Sequence, residues 1–296
     1  MIVGAGMAGL LAANMLRVRL IEKAKTLPNN HSAVLRFRSS IIGDTLGIPF
    51  KKVQMIKSPV PWRNPVADAL MYSYKNTGMR RSDRSIVKGL VSEDRYIAPP
   101  DLIQQMYDAV SSNINFDTEL TLDMIGKGPI ISTIPMPYLM ELLHYNPGEK
   151  FTWTSGATLK ARIKDCDAYV SLLTPNPTMS FSRLSITGDE LFVEIHNEKF
   201  IDEHPVLLQV AELLGIPSHS FSDIKIRKQP FSKINPIDDD VRKRFMHWAT
   251  TNYNIYSLGR YATWRPSLQL DDLVNDVRLI AHWIRQGHKY EVAKVS

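Results

Sequence analysis

The stretch Ile2-Val3-Gly4-Ala5-Gly6-Met7-Ala8-Gly9, continued by Leu10 to Leu16 and then by Val18-Arg19-Leu20-Ile21-Glu22, decides the fold. Two β-branched residues open it, glycines stand at 4, 6 and 9, strong helix formers follow, and a second apolar run ends in a carboxylate. Strand, tight turn, helix and strand make a βαβ opening. In that context each glycine has its own task. Gly4 permits the tight turn, Gly6 lets the backbone approach a pyrophosphate, and Gly9 lets the helix lie close to the sheet. The helix N-terminus, with the backbone around Ala5, Met7 and Ala8, offers N–H donors and partial positive charge to phosphate oxygens. Glu22, with Lys23 beside it, closes the second strand where a carboxylate accepts hydrogen bonds from an adenosine ribose, and an acid there disfavours NADP. A dinucleotide site is the reading; a glycine turn that only packs a helix is the alternative. The strand begins almost at Met1 and the connection at Arg17 is unusually short. Either the fold is trimmed there or the natural start lies upstream.

Working outward, residues 29 to 57 show no regular pattern, and 58 to 95 are rich in Pro, Arg and Ser, as in an excursion over a sheet. Asp101 to Val110 reads as an amphipathic helix started by Pro99-Pro100. Gly128 to Pro135 is a short apolar strand ended by proline, with a helix expected over 137–144. Ala168 to Leu173, Ser180 to Ile186 and Glu190 to Ile195 have strand composition, the last two joined by the turn Gly188-Asp189. They predict consecutive antiparallel strands. A helix near 203–214 stops at Gly215. Asn254 to Arg260 is a strand meeting a turn, and Asp271 to Arg285 a long helix with Leu273, Val277, Ile280 and Ile284 on one side. Its Asp271-Asp272 pair suits the helix dipole.

The chain has 296 residues, 44% of them apolar and 22% charged. That is an ordinary globular composition with ample core for one large domain or two interleaved ones. The single Cys166 excludes an intramolecular disulfide and a cysteine-cluster metal site, and the eight histidines are scattered, so no metal is expected. No apolar run is long enough to span a membrane, and the N-terminal stretch reads as strand and turn rather than a signal peptide. A cytoplasmic protein is the expectation. The net charge of +6 is clustered at Lys51-Lys52, Arg80-Arg81 with Arg84, Lys225 with Arg227-Lys228, and Arg242-Lys243-Arg244. Such clusters suit nucleic acid or a phosphorylated partner, or are solvated surface.

Three separated pieces resemble the FAD-dependent amine oxidase superfamily, with UDP-galactopyranose mutase and protoporphyrinogen oxidase among its relatives. They are Ile2 to Glu22, the strand Ile130-Ile131-Ser132-Thr133-Ile134-Pro135, and Gly259-Arg260-Tyr261-Ala262-Thr263-Trp264 followed by a helix. The resemblance implies FAD along Gly4, Ala5, Gly6, Met7, Ala8, Gly9, Glu22, Lys23, Thr133, Gly259 and Arg260. The arginine- and glycine-rich segment that usually follows the acidic strand is absent. His31 to Arg38 occupies that stretch, and Arg36 or Arg38 would supply the cationic contact. FAD is preferred to NAD because the Gly-Arg element lies far along the chain and returns to the first domain. The resulting architecture is α/β: a Rossmann-like FAD-binding domain of 1–57, 96–150 and 236–296, with an interleaved, mainly antiparallel-sheet substrate domain of 58–95 and 151–235.

A flavin accepts a hydride at N5, so the protein need only orient a C–H bond and exclude water. Catalytic candidates are therefore aromatic and cationic: Trp264 and Arg265 after the Gly-Arg turn, and Arg183 and Tyr169 on the substrate-domain strands. His196 is a candidate general base. The expected reaction is oxidation of a C–N bond in an amine or amino-acid-type small molecule. A mutase-like isomerase and a non-catalytic, FAD-stabilised assembly protein are the alternatives. Compact size and basic clusters also look similar to flavoproteins of bacteriophage thymine hypermodification. On that reading the substrate is an amino-acid-modified thymine in DNA and the location the host cytoplasm.

Overall fold

Short, mainly apolar strands form one sheet, and mostly longer, alternating ones form the other. In this computed structural model the described residues are 1–27, 35–60, 64–80, 89–196 and 203–287. The strands in chain order are β1 (Ile2–Val3), β2 (Leu20–Ile21), β3 (Arg36–Phe37), β4 (Lys51–Pro59), β5 (Val91–Ile97), β6 (Ile114–Asn115), β7 (Ile130–Ser132), β8 (Trp153–Ile163), β9 (Ala168–Leu173), β10 (Phe181–Gly188), β11 (Glu190–Ile195), β12 (Phe221–Ile234) and β13 (Ile255–Ser257). The α-helices are α1 (Met7–Leu16), α2 (Ile41–Leu46), α3 (Pro65–Thr77), α4 (Leu102–Asp108), α5 (Met136–Leu142), α6 (Glu203–Leu214), α7 (Asp239–Tyr253) and α8 (Asp272–Gln286).

The first sheet has the order β13-β7-β1-β2-β6, and every pairing in it is parallel. Parallel strands are stable when both faces are covered, and both are. Leu10, Leu11, Leu102, Met106, Leu273 and Val277, from α1, α4 and α8, bury one face. Met136, Leu139, Phe245 and Ala249, from α5 and α7, bury the other. The apolar stripe expected on the last helix is the one that packs. The short connection after α1 is explained by Arg17, whose φ of 53° reverses the chain while its N–H bonds Ala13 O. The left-handed conformation costs a non-glycine residue about 1 kcal/mol. The Arg17 guanidinium offsets it by donating to Ala109 O at 2.7 Å.

The second sheet runs β12-β8-β11-β10-β9-β4-β5-β3. Only β4–β9 is parallel; the other pairs are antiparallel. The hairpins expected between 168 and 195 are there, but the sheet is wider. Residues 51 to 57, where no regular pattern was expected, form β4 together with 58 and 59 of the expected excursion, so the expected domain boundary between 57 and 58 falls inside that strand. The excursion between 58 and 95 contains α3, started by Asn64, whose side chain caps the amides of Val66 and Ala67, and by Pro65. α6 covers the outer face of this sheet through Val206, Leu207 and Val210, packed on Leu184, Leu191 and Val193. The opposite face carries the polar side chains described below. Among the described residues, no helix is long and apolar enough to cross a membrane, and no group of three His, Cys, Asp or Glu is placed to hold a metal.

Candidate active site

The glycine turn is held from three sides. Gly4, with φ of 97°, adopts a backbone that favours glycine, and a Cβ there would sit 2.3 Å from Thr133 Oγ1. Gly9 lies so close to the turn that its Cβ would fall 1.8 Å from Gly4 O. A Cβ on Gly6, by contrast, meets nothing within 4 Å. The open space therefore lies at Gly6, the N-cap of α1, which has no side-chain cap. The N–H groups of the first turn have no acceptor within the helix, so donors and positive dipole end face that space. Ala5 and Met7 point their side chains into the core and leave only backbone to the opening.

Two expected cofactor residues turn out to brace this turn. The Glu22 carboxylate accepts from Ala5 N at 2.6 Å and Ala24 N at 2.9 Å. Thr133 Oγ1 donates to Val3 O at 2.8 Å, fastening β7 to the turn. Lys23 is exposed beside them. The Gly-Arg element comes back to the same place: Gly259, with φ of 96°, would put a Cβ 3.1 Å from that of Ala8. Arg260 donates through Nη2 to Leu268 O at 2.8 Å, and its charge acts on Lys233 of β12. Arg260 thus links the edge of the parallel sheet to the inner face of the mixed one.

The residues expected beside a flavin after this turn are committed elsewhere. Trp264 is 1% exposed, with Nε1 donating to Asn235 O at 2.8 Å and its ring edge-on to Phe151. Its side chain is a core anchor. Arg265 is ion-paired with Asp276 of α8. Trp264→Phe should lower unfolding free energy by about 2 kcal/mol through the lost buried bond and volume. Urea denaturation checks it, and an unchanged midpoint would contradict the anchor role. Arg38, the alternative cationic contact, gives its N–H to Asp271 and pairs with Asp272. Residues 31–34 of the stretch expected to replace the missing glycine segment lie outside the described residues.

Arg183 and Tyr169 stand on the inner face of the mixed sheet, in a setting the sequence reading only touched. Register puts Arg183 beside Leu173 and Glu194, Ser185 beside Ser171, and Thr187 beside Tyr169. Tyr169 Oη accepts from Lys51 Nζ at 2.7 Å. Glu194 bonds Arg183 at 2.5 Å and Lys233 at 2.9 Å. Burial opposes the Glu194 charge, yet Arg183 and Lys233 outweigh it and hold the carboxyl well below the usual range. Arg36, expected at the cofactor, instead aims across at β10: its Nη2 lies 3.5 Å from Ser185 Oγ. Burial, then Arg183 and Arg95, push its guanidinium down to about 10. Lys57 pairs with Glu93 at 2.5 Å, and Arg95 pairs with the same carboxylate oxygen. Lys57, Glu93, Arg95, Glu194 and Lys233 were missed. The pairing across the Gly188-Asp189 turn would have brought Arg183 to Glu194, and the alternation Glu93-x-Arg95 was also a signal.

α3 is pinned near this face by Lys75, whose buried ammonium donates to Thr174 O, Asn176 O and Phe181 O. His196, the candidate base, is pushed down to about 4 by burial and by Lys75, so it is neutral at pH 7. A depression of about 700 Å³ lined by Arg162, Cys166, Asp189 and His219 carries none of the inner-face residues named above.

Structural comparison finds solved proteins of similar overall fold. Reduced UDP-galactopyranose mutase superimposes with a TM-score of 0.71 at 13% identity, over 99% of this chain and 95% of that one. The fold is that of the Rossmann-like flavoproteins. A Pyrococcus furiosus protein gives 0.60 at 10% identity over 98% of both chains. An FAD-dependent oxidoreductase from Pseudomonas aeruginosa gives 0.54 at 12%, over 100% of this chain and 93% of that one. No protein-family model matches the sequence, and no curated protein matches it.

Proposed function

We propose that the chain binds FAD and is an FAD-dependent oxidoreductase. The observation that carries this is the uncapped α1 N-terminus beside the open space at Gly6, with Gly259 packed on Ala8. Backbone amides of that first turn would hold the pyrophosphate, and the remaining lone pairs of Glu22 would take the ribose hydroxyls. A bound flavin supplies hydride acceptance. The chain's own part is to orient the substrate against the inner sheet face, where Arg183 and Arg36 bind an anionic group, and to exclude water.

In its finer form the proposal is oxidation of a C–N bond in an amine or amino-acid-type substrate. Bands near roughly 375 and 450 nm that survive gel filtration, and that an amine bleaches anaerobically, are the expected result. A protein that stays colourless with added FAD sinks the proposal. Gly6→Ala is expected to melt with the wild type, since its Cβ meets nothing. It should nevertheless weaken FAD binding by about 100-fold, because the methyl fills the approach. Equal FAD affinity in a fluorescence titration would contradict that placement.

The mutase-like isomerase is the second reading, favoured by the agreement of shape over 99% of this chain. It predicts turnover only with reduced flavin and no net oxidation. The nucleic-acid form ranks lower because its clusters are partly engaged. Lys52 pairs with Asp94, and Arg242 and Lys243 with Asp239. Lys225 and Lys228 on β12 are exposed, while 81 and 84 lie outside the described residues. A gel shift with duplex DNA at low salt tests it.

A further inference from the structure

The inner face of the mixed sheet brings together five cations from five strands. They are Arg36 on β3, Lys57 on β4, Arg95 on β5, Arg183 on β10 and Lys233 on β12. Two carboxylates, Glu93 and Glu194, stand among them. Arg36 reaches the Arg183 neighbourhood by geometry, its Nη2 3.5 Å from Ser185 Oγ on β10 while its strand pairs with β5, and its guanidinium senses the charges of Arg183, Arg95, Glu194 and Glu93. Positive charge therefore exceeds negative by three in one partly enclosed place. Like charges gathered out of bulk water are unfavourable unless something compensates them.

Two donors show where the compensation is missing. Arg36 Nη1 and Arg183 Nε are enclosed and donate to nothing among the described residues. The site is still open on one side: Arg95, Lys57 and Lys233 side chains are between 16 and 22% exposed and Arg183 33%. Planar guanidinium groups with unused N–H donors suit the oxygens of a phosphate or of paired carboxylates. One negative charge would leave most of the excess in place.

We infer that this face is a subsite for a doubly charged anionic group of the substrate, such as a phosphate monoester. The inference rests on the proposed function only in taking the ligand as substrate. The cofactor's own anion has its cradle at Gly6, on the other sheet. The substrate would then be an amine that also carries a dianion, and the Arg36–Arg183 pair would fix how it lies. A single carboxylate or the singly charged diester of a DNA backbone answers the excess less well.

The test is thermal melting of FAD-loaded protein with inorganic phosphate, against acetate and chloride at matched ionic strength. Phosphate is expected to raise Tm by roughly 3 °C at ten times its Kd, and acetate and chloride by much less. Arg36→Met should melt above the wild type without phosphate, because it removes an uncompensated buried charge, and should lose the phosphate response. Arg183→Met should lose the response as well. Lys225→Ala, on an exposed stretch of β12, should keep it. Equal rises with chloride, or a full phosphate response in Arg36→Met, would overturn the subsite. A response present without FAD and abolished by FAD loading would mean the cofactor's anion site, and would also overturn it. Protein that never takes up FAD but shows the phosphate response, lost in Arg36→Met, fails the flavin proposal while supporting the anion subsite.

Discussion

Gly9→Ala is expected to lower unfolding free energy by about 4 kcal/mol or more, placing it among the most damaging single substitutions. Helix propensity alone predicts the reverse, because alanine inside a helix is favoured over glycine by about 1 kcal/mol. Sterics win by a wide margin. The added Cβ would lie 1.8 Å from Gly4 O and 3.0 Å from Gly4 C, both backbone atoms of a turn fastened elsewhere. Gly4 N bonds Ile21 O at 2.8 Å, and Thr133 holds Val3 O from β7. Neither side yields without loss, so α1 must back away and pull Leu10 and Leu11 from a core in which they are fully buried. Urea denaturation of Gly9→Ala beside Gly6→Ala separates the two roles: the first should lose stability, the second only FAD affinity. A Gly9→Ala protein within about 1 kcal/mol of the wild type would mean that the helix does not sit this close to the turn.

That turn was legible because its constraints are local: three glycines, a helix and an acidic strand end within about twenty residues. The amphipathic stripe of α8 and the hairpins around Gly188-Asp189 were legible for the same reason, since periodicity and turn chemistry act over short separations. The inner sheet face was not. Arg36 meets Ser185 across 149 residues and Lys57 meets Glu93 across 36, and no spacing rule encodes strand order. β4 pairs with β9 and β5, so its residues read as irregular until the sheet is assembled. Trp264 failed for another reason. Its place after Gly259-Arg260 set its position along the chain, but a φ of 48° helps turn the ring into the core, and sequence does not state that direction. Glu22 and Thr133 were found as residues, yet here they brace the backbone around the turn, Glu22 through Ala5 N and Ala24 N and Thr133 through Val3 O.

Glu194→Gln is expected to cost about 3 kcal/mol and to flatten the acid limb of the stability profile. Removing one partner from a buried ion pair typically costs 3–5 kcal/mol, and the lower end applies because the Glu194 side chain is about one-third exposed. Without its charge, Arg183 and Lys233 lose their common counterion and Arg36 the nearest carboxylate on that side. The pH dependence follows from the depressed carboxyl. Unfolded, Glu194 titrates near its ordinary value of 4.5; folded, it stays ionised far below that. The unfolded chain thus binds the extra proton as pH falls below about 4.5, and the stabilisation is present above that value and lost beneath it. Melting curves from pH 7 to 3 should show a wild type that loses stability faster than Glu194→Gln, the two converging in acid. Parallel curves would place the carboxylate outside the cationic network. Adding Arg36→Met to Glu194→Gln should recover part of the loss, because the cation it removes is one that Glu194 had offset. The double-mutant cycle would then return a coupling of about 1 kcal/mol between two residues 158 positions apart, as expected for groups in one charged cluster. Strict additivity would mean that Arg36 and Glu194 do not share a field, and the charge excess on the inner sheet face would have to be redrawn without Arg36.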